Sequence, residues 1–273
     1  ITLTTEANKS TAPNISSDGQ FLIYSSNTNS NNDIFLRKLN DVNTVPFSLT
    51  TSNQFEPVLC PDGKYLAYID DELDPGGDLI IERVYLESIY KKRLDLTDIN
   101  PTSRFFSSRV NLTNNEDRRV RSKESNPAWS SDSTLLAFSS NMTDLSEDTF
   151  GPPSGAIQNI WYMEFDNPET LKQLTKLGGS MPAFSPDNQW IAFIDFSKSA
   201  SNGDIAVINL ESKKKYFLTE TKALETNPVF SSDGTKIFFV RFDKDTNNDG
   251  FISSLDKGQL MKISFDKETF KSS

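Results

Sequence analysis

The densest chemistry in this 273-residue chain lies near its C-terminus, in the loop after Phe242. Asp245, Asn247 and Asp249 alternate there, followed by Gly250, Phe251, Ile252, Ser253 and Asp256. The order fits the calcium-loop spacing D-x-[DN]-x-[DN]-G-x5-[DE] at every position. A hard divalent cation needs six to eight oxygens. Alternate side chains at 245, 247 and 249 would aim theirs at one point, and Gly250 permits the sharp turn. Phe251 would offer its carbonyl, Ser253 a direct or water-borne contact, and Asp256 would close the site. The expected cofactor is calcium in a structural role, with Ile252 docking the loop on the core. A polar hairpin whose Asp and Asn only shape turns is the alternative. Extracellular calcium modules bind at roughly 0.1–1 mM. A periplasmic, cell-surface or secreted location would suit such a site.

Most other chemistry is excluded by composition. The chain has no histidine and one cysteine, Cys60. Ser-His-Asp and Cys-His catalysis, His-ligated zinc and an intramolecular disulfide are therefore absent. Net charge is −10, which disfavours nucleic acid as a partner. No apolar run reaches the ~20 residues of a membrane span. Carboxylate chemistry, oxygen-ligated metal or no chemistry remain.

The elements that must position these residues come from a repeat. Five segments align without gaps: Pro13–Tyr24, Pro57–Tyr68, Pro127–Phe138, Pro182–Phe193 and Pro228–Phe239. Asp18, Asp62, Asp132, Asp187 and Asp233 keep one place in them. Each segment reads as a short strand, a tight Asp-Gly-type turn and an apolar second strand. Third strands follow at 34–39, 79–84, 160–165, 205–210 and 260–265. Leu-Thr pairs at 49–50, 112–113, 174–175 and 218–219 end fourth strands. Four antiparallel strands at this period describe β-propeller blades. The expected fold is all-β, a single propeller domain over 1–273. Five blades would be closed by an N-terminal strand at Leu3-Thr4, with an insertion in the second blade at about 85–125. Leu96-Thr97 could instead end that blade early, which keeps six blades with one degenerate as the alternative.

The pattern P-x-[FWIL]-S-x-D-G-x-x-[IL]-[AI]-[FY] resembles the Pro-Asp repeats of TolB-type propellers across essentially the whole chain. That resemblance implies the fold and little about function. Against TolB, the expectation is a propeller without the preceding α/β domain and with five blades in place of six, so its partner contacts are not expected to carry over. Asp256 as the last ligand resembles the dockerin type of calcium loop.

The five repeated aspartates read as turn caps, and Asp33, Asp78 and Asp204 as a repeated feature where third strands begin. The acids Asp70, Asp71, Glu72, Asp74 and Asp78 read as solvated charge. Cys60 reads as a buried inert thiol, and Trp129, Trp161 and Trp190 as packing between blades. Residues 85–125 hold nine Lys/Arg against six acids, a basic insertion that is either a docking surface or a solvated hairpin. The inner strands PNIS, PVLC, PAWS, PAFS and PVFS contain no acid. Gln54, Glu56, Glu124, Asn126, Glu225 and Asn227, just upstream of the prolines, could line a ligand funnel and hold the only plausible catalytic acids. The expected function is a non-catalytic, extracytoplasmic interaction module whose partner is another protein or envelope macromolecule. A carbohydrate-active five-bladed propeller, glycosidase or glycan-binding, is the alternative.

Overall fold

The computed structural model describes residues 10–27, 31–41, 43–47, 51–72, 77–83, 110–113, 122–142, 157–198 and 202–271. The chain divides into two compact units, Ile1–Pro127 with Leu145–Pro153 and Ala128–Asp144 with Ser154–Ser273. Its five antiparallel sheets are the blades of a β-propeller, and strands adjacent in sequence are neighbours in each. Blade 1 holds β1 (Ser10–Ile15), β2 (Phe21–Ser26), β3 (Asp33–Lys38) and β4 (Thr44–Pro46). Blade 2 holds β5 (Gln54–Leu59), β6 (Tyr65–Asp70), β7 (Asp78–Arg83) and β8 (Val110–Asn111). Blade 3 holds β9 (Glu124–Trp129), β10 (Leu135–Ser140), β11 (Asn159–Glu164) and β12 (Asn167–Gln173). Blade 4 holds β13 (Ser180–Phe184), β14 (Trp190–Asp195), β15 (Asp204–Asn209) and β16 (Lys215–Phe217). In blade 5, β17 (Leu224–Phe230), β18 (Lys236–Phe242) and β19 (Gln259–Ser264) are followed by a short helix, α1 (Lys267–Lys271).

Continuous apolar second strands form because both of their faces are covered. Every residue of β2 and β14 is buried. In the first unit, Phe21, Ile23, Ile34 and Leu36 of blade 1 pack on Leu59, Leu66, Tyr68 and Ile80 of blade 2. In the second unit, blade 4 turns Ile191, Phe193, Ala206 and Ile208 to Ala137 and Ile160 of blade 3. Its other face meets Phe230, Ile237, Phe239 and Phe265 of blade 5. Helix α1 adds Phe270, which stacks against Tyr216 and Phe265 beside Trp190, while the Tyr216 hydroxyl donates to the Phe270 carbonyl at 3.0 Å.

Third strands begin one residue earlier than the apolar pattern predicts. Their first residues, Asp33, Asp78, Asn159, Asp204 and Gln259, pair with Ser26, Asp70, Ser140, Asp195 and Arg241. The Leu-Thr ends have a specific task. Leu112, Leu174 and Leu218 donate their N–H groups to the carbonyls of Leu79, Ile160 and Ile205. The hydroxyls of Thr113, Thr175 and Thr219 accept the N–H groups of the same three residues at 3.0, 2.9 and 2.8 Å. In blade 1 the leucine position is filled by Phe47, bonded to the Ile34 carbonyl. Leu49-Thr50 lies outside the described residues, as do Leu3-Thr4, Leu96-Thr97 and nearly all of the basic insertion. The described part of blade 2 ends at Leu112-Thr113, after β8.

The tight turns share one design. In blade 3 the Ser130 hydroxyl donates to Asp132 at 2.6 Å and accepts the Leu135 N–H at 2.8 Å, while Asp132 accepts the Thr134 N–H. Ser16, Ser185 and Ser231 do the same for Asp18, Asp187 and Asp233. In blade 2 the Cys60 thiol, buried, replaces the serine hydroxyl as the donor to Asp62. These contacts hold the aspartates below the ordinary carboxylate range. For Asp18 and Asp233 the serine hydroxyl bond is the main cause. For Asp62, Asp132 and Asp187 burial pushes upward, but the combined hydrogen bonds outweigh it.

An acid whose folded pKa is depressed stabilises fully above its unfolded pKa and loses that contribution as pH falls through the folded value. Asp204 and Glu56, which burial pushes up, act in the opposite sense. The urea midpoint should therefore fall below about pH 4, with a shallower acid slope in a combined Asp132→Asn/Asp187→Asn variant. Ser185→Ala orphans the buried Trp190 amide. It should lower unfolding free energy by about 1–3 kcal/mol, with unchanged denaturant dependence.

Candidate functional site

The residues before the five repeat prolines have an unexpected backbone. A residue preceding proline is normally extended, yet Ala12, Glu56, Asn126, Met181 and Asn227 have φ of 50, 52, 53, 55 and 55°. Strand register slips at this point in blades 1, 2, 4 and 5, as a β-bulge requires. A bulge leaves an amide outside the ladder, and here the preceding blade supplies its acceptor. Asn126 donates its N–H to a Glu56 carboxylate oxygen, and its side-chain amide donates to the other at 3.3 Å. The Met181 N–H goes to the Ser139 hydroxyl at 3.1 Å, and the Asn227 N–H to the Met181 sulfur at 3.3 Å. Met181 and Ser139 were not among the candidates. The signal that would have found Met181 is its place before Pro182.

The six funnel candidates therefore separate. Glu56 and Asn126 are half-buried and meet, and burial pushes the Glu56 carboxyl up despite the Asn126 amide. Asn227 is exposed. Gln54 is buried and donates to Asp70 at 3.0 Å, and Glu124 is buried. Glu225 is fully buried and accepts both Nε and Nη2 of Arg241, at 2.9 and 2.6 Å, with the Thr219 hydroxyl and the Ile205 N–H on its second oxygen. The left-handed residue explains the division: 54, 124 and 225 lie two residues before it, where unbroken alternation would put them on one face with 56, 126 and 227, and the turned backbone separates the two sets. Two of the acids of blade 2 depart from the solvated-charge expectation in the same way, while Glu72 is exposed as expected and Asp74 lies outside the described residues. Asp70 and Asp78 are buried, accepting from Gln54 and from Asn111.

The 245–256 loop joins β18 to β19 and is wound by its own side chains. Asp245 accepts the N–H groups of Asp249 and Gly250 at 3.2 and 2.9 Å, Asn247 that of Asp249 at 3.0 Å, and Asp249 that of Phe251 at 2.9 Å. Asp245 Oδ1 and Asn247 Oδ1 thus converge on one amide. Gly250 has φ of +91°, which lets the chain reverse there. Asp256, alone among the loop's acids, is buried. Its two oxygens hold the N–H groups of Thr246, Asn247 and Ser253, and those bonds keep its carboxyl low. Hard oxygen donors and a pre-wound turn fit calcium. Among the described residues, however, no three acidic, histidine or cysteine side chains converge closely enough to hold a metal by themselves. Ile252 is not docked on the core: it is exposed, like Phe251 and Leu255. The core of blade 5 is already filled by Phe230, Ile237, Phe239 and Phe265.

Set against solved structures, this chain aligns over 96% of its length with a protein assigned as TolB in Agrobacterium tumefaciens. The TM-score is 0.68 at 16% identity, over 79% of that protein. TolB from Acinetobacter baumannii aligns over the same share at TM-score 0.64 and 17% identity, with 53% of its own length covered. The fold is a TolB-like β-propeller. The same fold carries enzymes: an oligogalacturonate lyase in complex with manganese aligns at TM-score 0.54 and 14% identity, over 93% of this chain and 61% of that one. The chain matches no protein-family model and no curated protein. Among the described residues of this TolB-like chain, no helix is long and apolar enough to cross a membrane.

Cutting the guanidinium from Glu225 leaves a buried carboxylate with only neutral donors. Arg241→Met should cost about 3–5 kcal/mol in urea unfolding, and Glu225→Gln in the same chain should restore part of it.

Proposed function

We propose that this TolB-like propeller is a non-catalytic, extracytoplasmic interaction module that binds another protein or envelope macromolecule, and that calcium stiffens its 245–256 loop. The observation that carries the first half is the employment of the candidate acids. Glu225 neutralises Arg241, Glu124 is buried, and Glu56 holds the bulge amide of the next blade. Acids committed to the frame leave a rigid surface whose exposed chemistry is recognition. Asp245, Asn247, Asp249, the Phe251 carbonyl and Ser253 would hold calcium, with Asp256 joining once it exchanges amide hydrogen bonds for the cation. Calcium would supply charge neutralisation and stiffness there.

One observation favours the carbohydrate-active reading. Glu56 is half-buried and its carboxyl is pushed up, as a general acid requires. Hydrolysis of a glycan panel by the native chain, abolished in Glu56→Gln, would decide for that reading; an inert native chain decides against it.

The calcium half is tested by thermal melting. Millimolar calcium should raise the melting temperature of the native chain relative to chelator, and Asp249→Ala should remove that rise. Equal melts in all four conditions would reduce the loop to a polar hairpin.

A further inference from the structure

We infer that the open edge of blade 5 is a docking site for an extended segment of a partner protein, one that carries an acidic residue two places before a Leu-Thr pair. The inference rests on the interaction-module reading above and adds where the partner is held and which sequence it presents.

Blades 1 to 4 each have a fourth strand, whereas blade 5 has three among the described residues, with β19 outermost. The residues after β19 wind into α1 instead, and Phe270 holds that helix against Tyr216 and Trp190 of blade 4. Leu260 pairs with Val240 of β18 as Leu79, Ile160 and Ile205 pair with Ile69, Ser139 and Ile194. Its backbone N–H and C=O therefore face away from β18, towards the open side. In blades 2, 3 and 4 the fourth strand takes both of those groups. The leucine of each Leu-Thr end donates to the carbonyl at 2.9, 2.7 and 2.8 Å. The threonine hydroxyl accepts the N–H at 3.0, 2.9 and 2.8 Å. Leu260 has no such partner among the described residues.

The apolar contact that accompanies those bonds is open as well. In blades 3 and 4, Leu174 and Leu218 pack into the clusters that hold Ile160 and Ile205, both fully buried. Leu260, in the same place, is 76% exposed. The repeat itself thus specifies what fits β19. A strand is needed whose leucine covers Leu260 and donates to its carbonyl, and whose threonine hydroxyl receives its N–H. In strand addition the main-chain bonds supply affinity and the alternate side chains supply specificity.

Charge assigns that strand to a partner. The residue two before the Leu-Thr leucine, or before Phe47 in blade 1, lies opposite the fourth residue of the third strand. The pairs are Val45 with Leu36, Val110 with Ile81, Lys172 with Tyr162 and Tyr216 with Val207. In blade 5 that fourth residue is Lys262, which is exposed. A lysine on an edge strand discourages pairing with a strand that offers it no acid, and an opposite charge directly across is favourable. The chain contains six Leu-Thr pairs, at 3–4, 49–50, 96–97, 112–113, 174–175 and 218–219, and none has an acid two residues before its leucine. Neither this chain nor a second copy of it therefore carries the segment that matches β19 at every position.

The experiment titrates the full chain into a labelled, end-blocked peptide, Val-Glu-Val-Leu-Thr-Asn, and follows fluorescence anisotropy, with a thermal melt of every variant. Saturable binding is expected, and replacing the peptide's threonine by valine should weaken it about fivefold by removing one hydrogen-bond acceptor. Replacing the peptide's glutamate by lysine should weaken it up to about fivefold, and Lys262→Glu in the chain should reverse that preference. Leu260→Pro removes an N–H that the sheet does not use, and should abolish binding with the melt kept. No binding, binding that survives Leu260→Pro, or no reversal with Lys262→Glu overturns the docking edge. Binding that appears only in a Leu3→Ser/Thr4→Ala chain assigns the edge to the chain itself, and a dimer split by Leu260→Pro assigns it to a second copy; either overturns the partner. The module reading is judged apart, by the glycan panel. An inert panel without peptide binding sinks the edge alone, whereas hydrolysis lost in Glu56→Gln sinks the module.

Discussion

In the first strand of every blade one residue just before proline is left-handed, in blades 1, 2, 4 and 5 at a slip of the ladder, and the amide it displaces has to find an acceptor. In blades 3, 4 and 5 that acceptor belongs to the blade before: Glu56, Ser139 and Met181 in turn. Each of these three blades is thereby keyed to its predecessor at its left-handed residue. Left-handed conformations of non-glycine residues cost about 1–3 kcal/mol each, and they persist only where the surroundings over-determine them. Here the apolar packing of one blade on the next supplies that constraint, and the bulge converts it into a defined register.

The same logic of orphaned amides runs through the rest of the blade. A strand covered on both faces has no water for the groups at its ends, so short polar side chains take them. Serine and aspartate satisfy the turn, and threonine satisfies the start of the third strand. These residues look decorative in a sequence and are structural in the fold. Cys60 shows how narrow the requirement is: what the position needs is a small side chain that donates to Asp62, and a thiol suffices.

Much of this was legible because it repeats. The hairpins and the aspartate turns keep one spacing inside every repeat, the third strands and the Leu-Thr ends of blades 2, 3 and 4 follow in the same order, and tertiary packing had no reason to override them. What escaped was set by geometry that residue type does not encode. Proline at 13, 57, 127, 182 and 228 predicts extended residues before it, and the bulge reverses that. The funnel acids were placed by chain position alone, whereas the left-handed backbone breaks the strand's alternation, leaving Gln54, Glu124 and Glu225 buried and Glu56, Asn126 and Asn227 nearer the surface. Ile252 was assigned to the core by its hydrophobicity, but it lies exposed on the loop beside Phe251. Helix α1 was missed because its five residues, KETFK, carry no periodic pattern, and its Phe270 is held by aromatic contacts with Tyr216 and Phe265.

The five left-handed positions hold alanine, glutamate, asparagine, methionine and asparagine. Backbone conformation is shared while side-chain identity is not, so the shape of each site is set by the strand pairing around it, against the extended preference that the proline imposes. Natural variation could rewrite the polarity of one such position without disturbing its neighbours, provided the displaced amide still finds a partner. A scaffold of that kind separates the inheritance of form from the inheritance of binding preference.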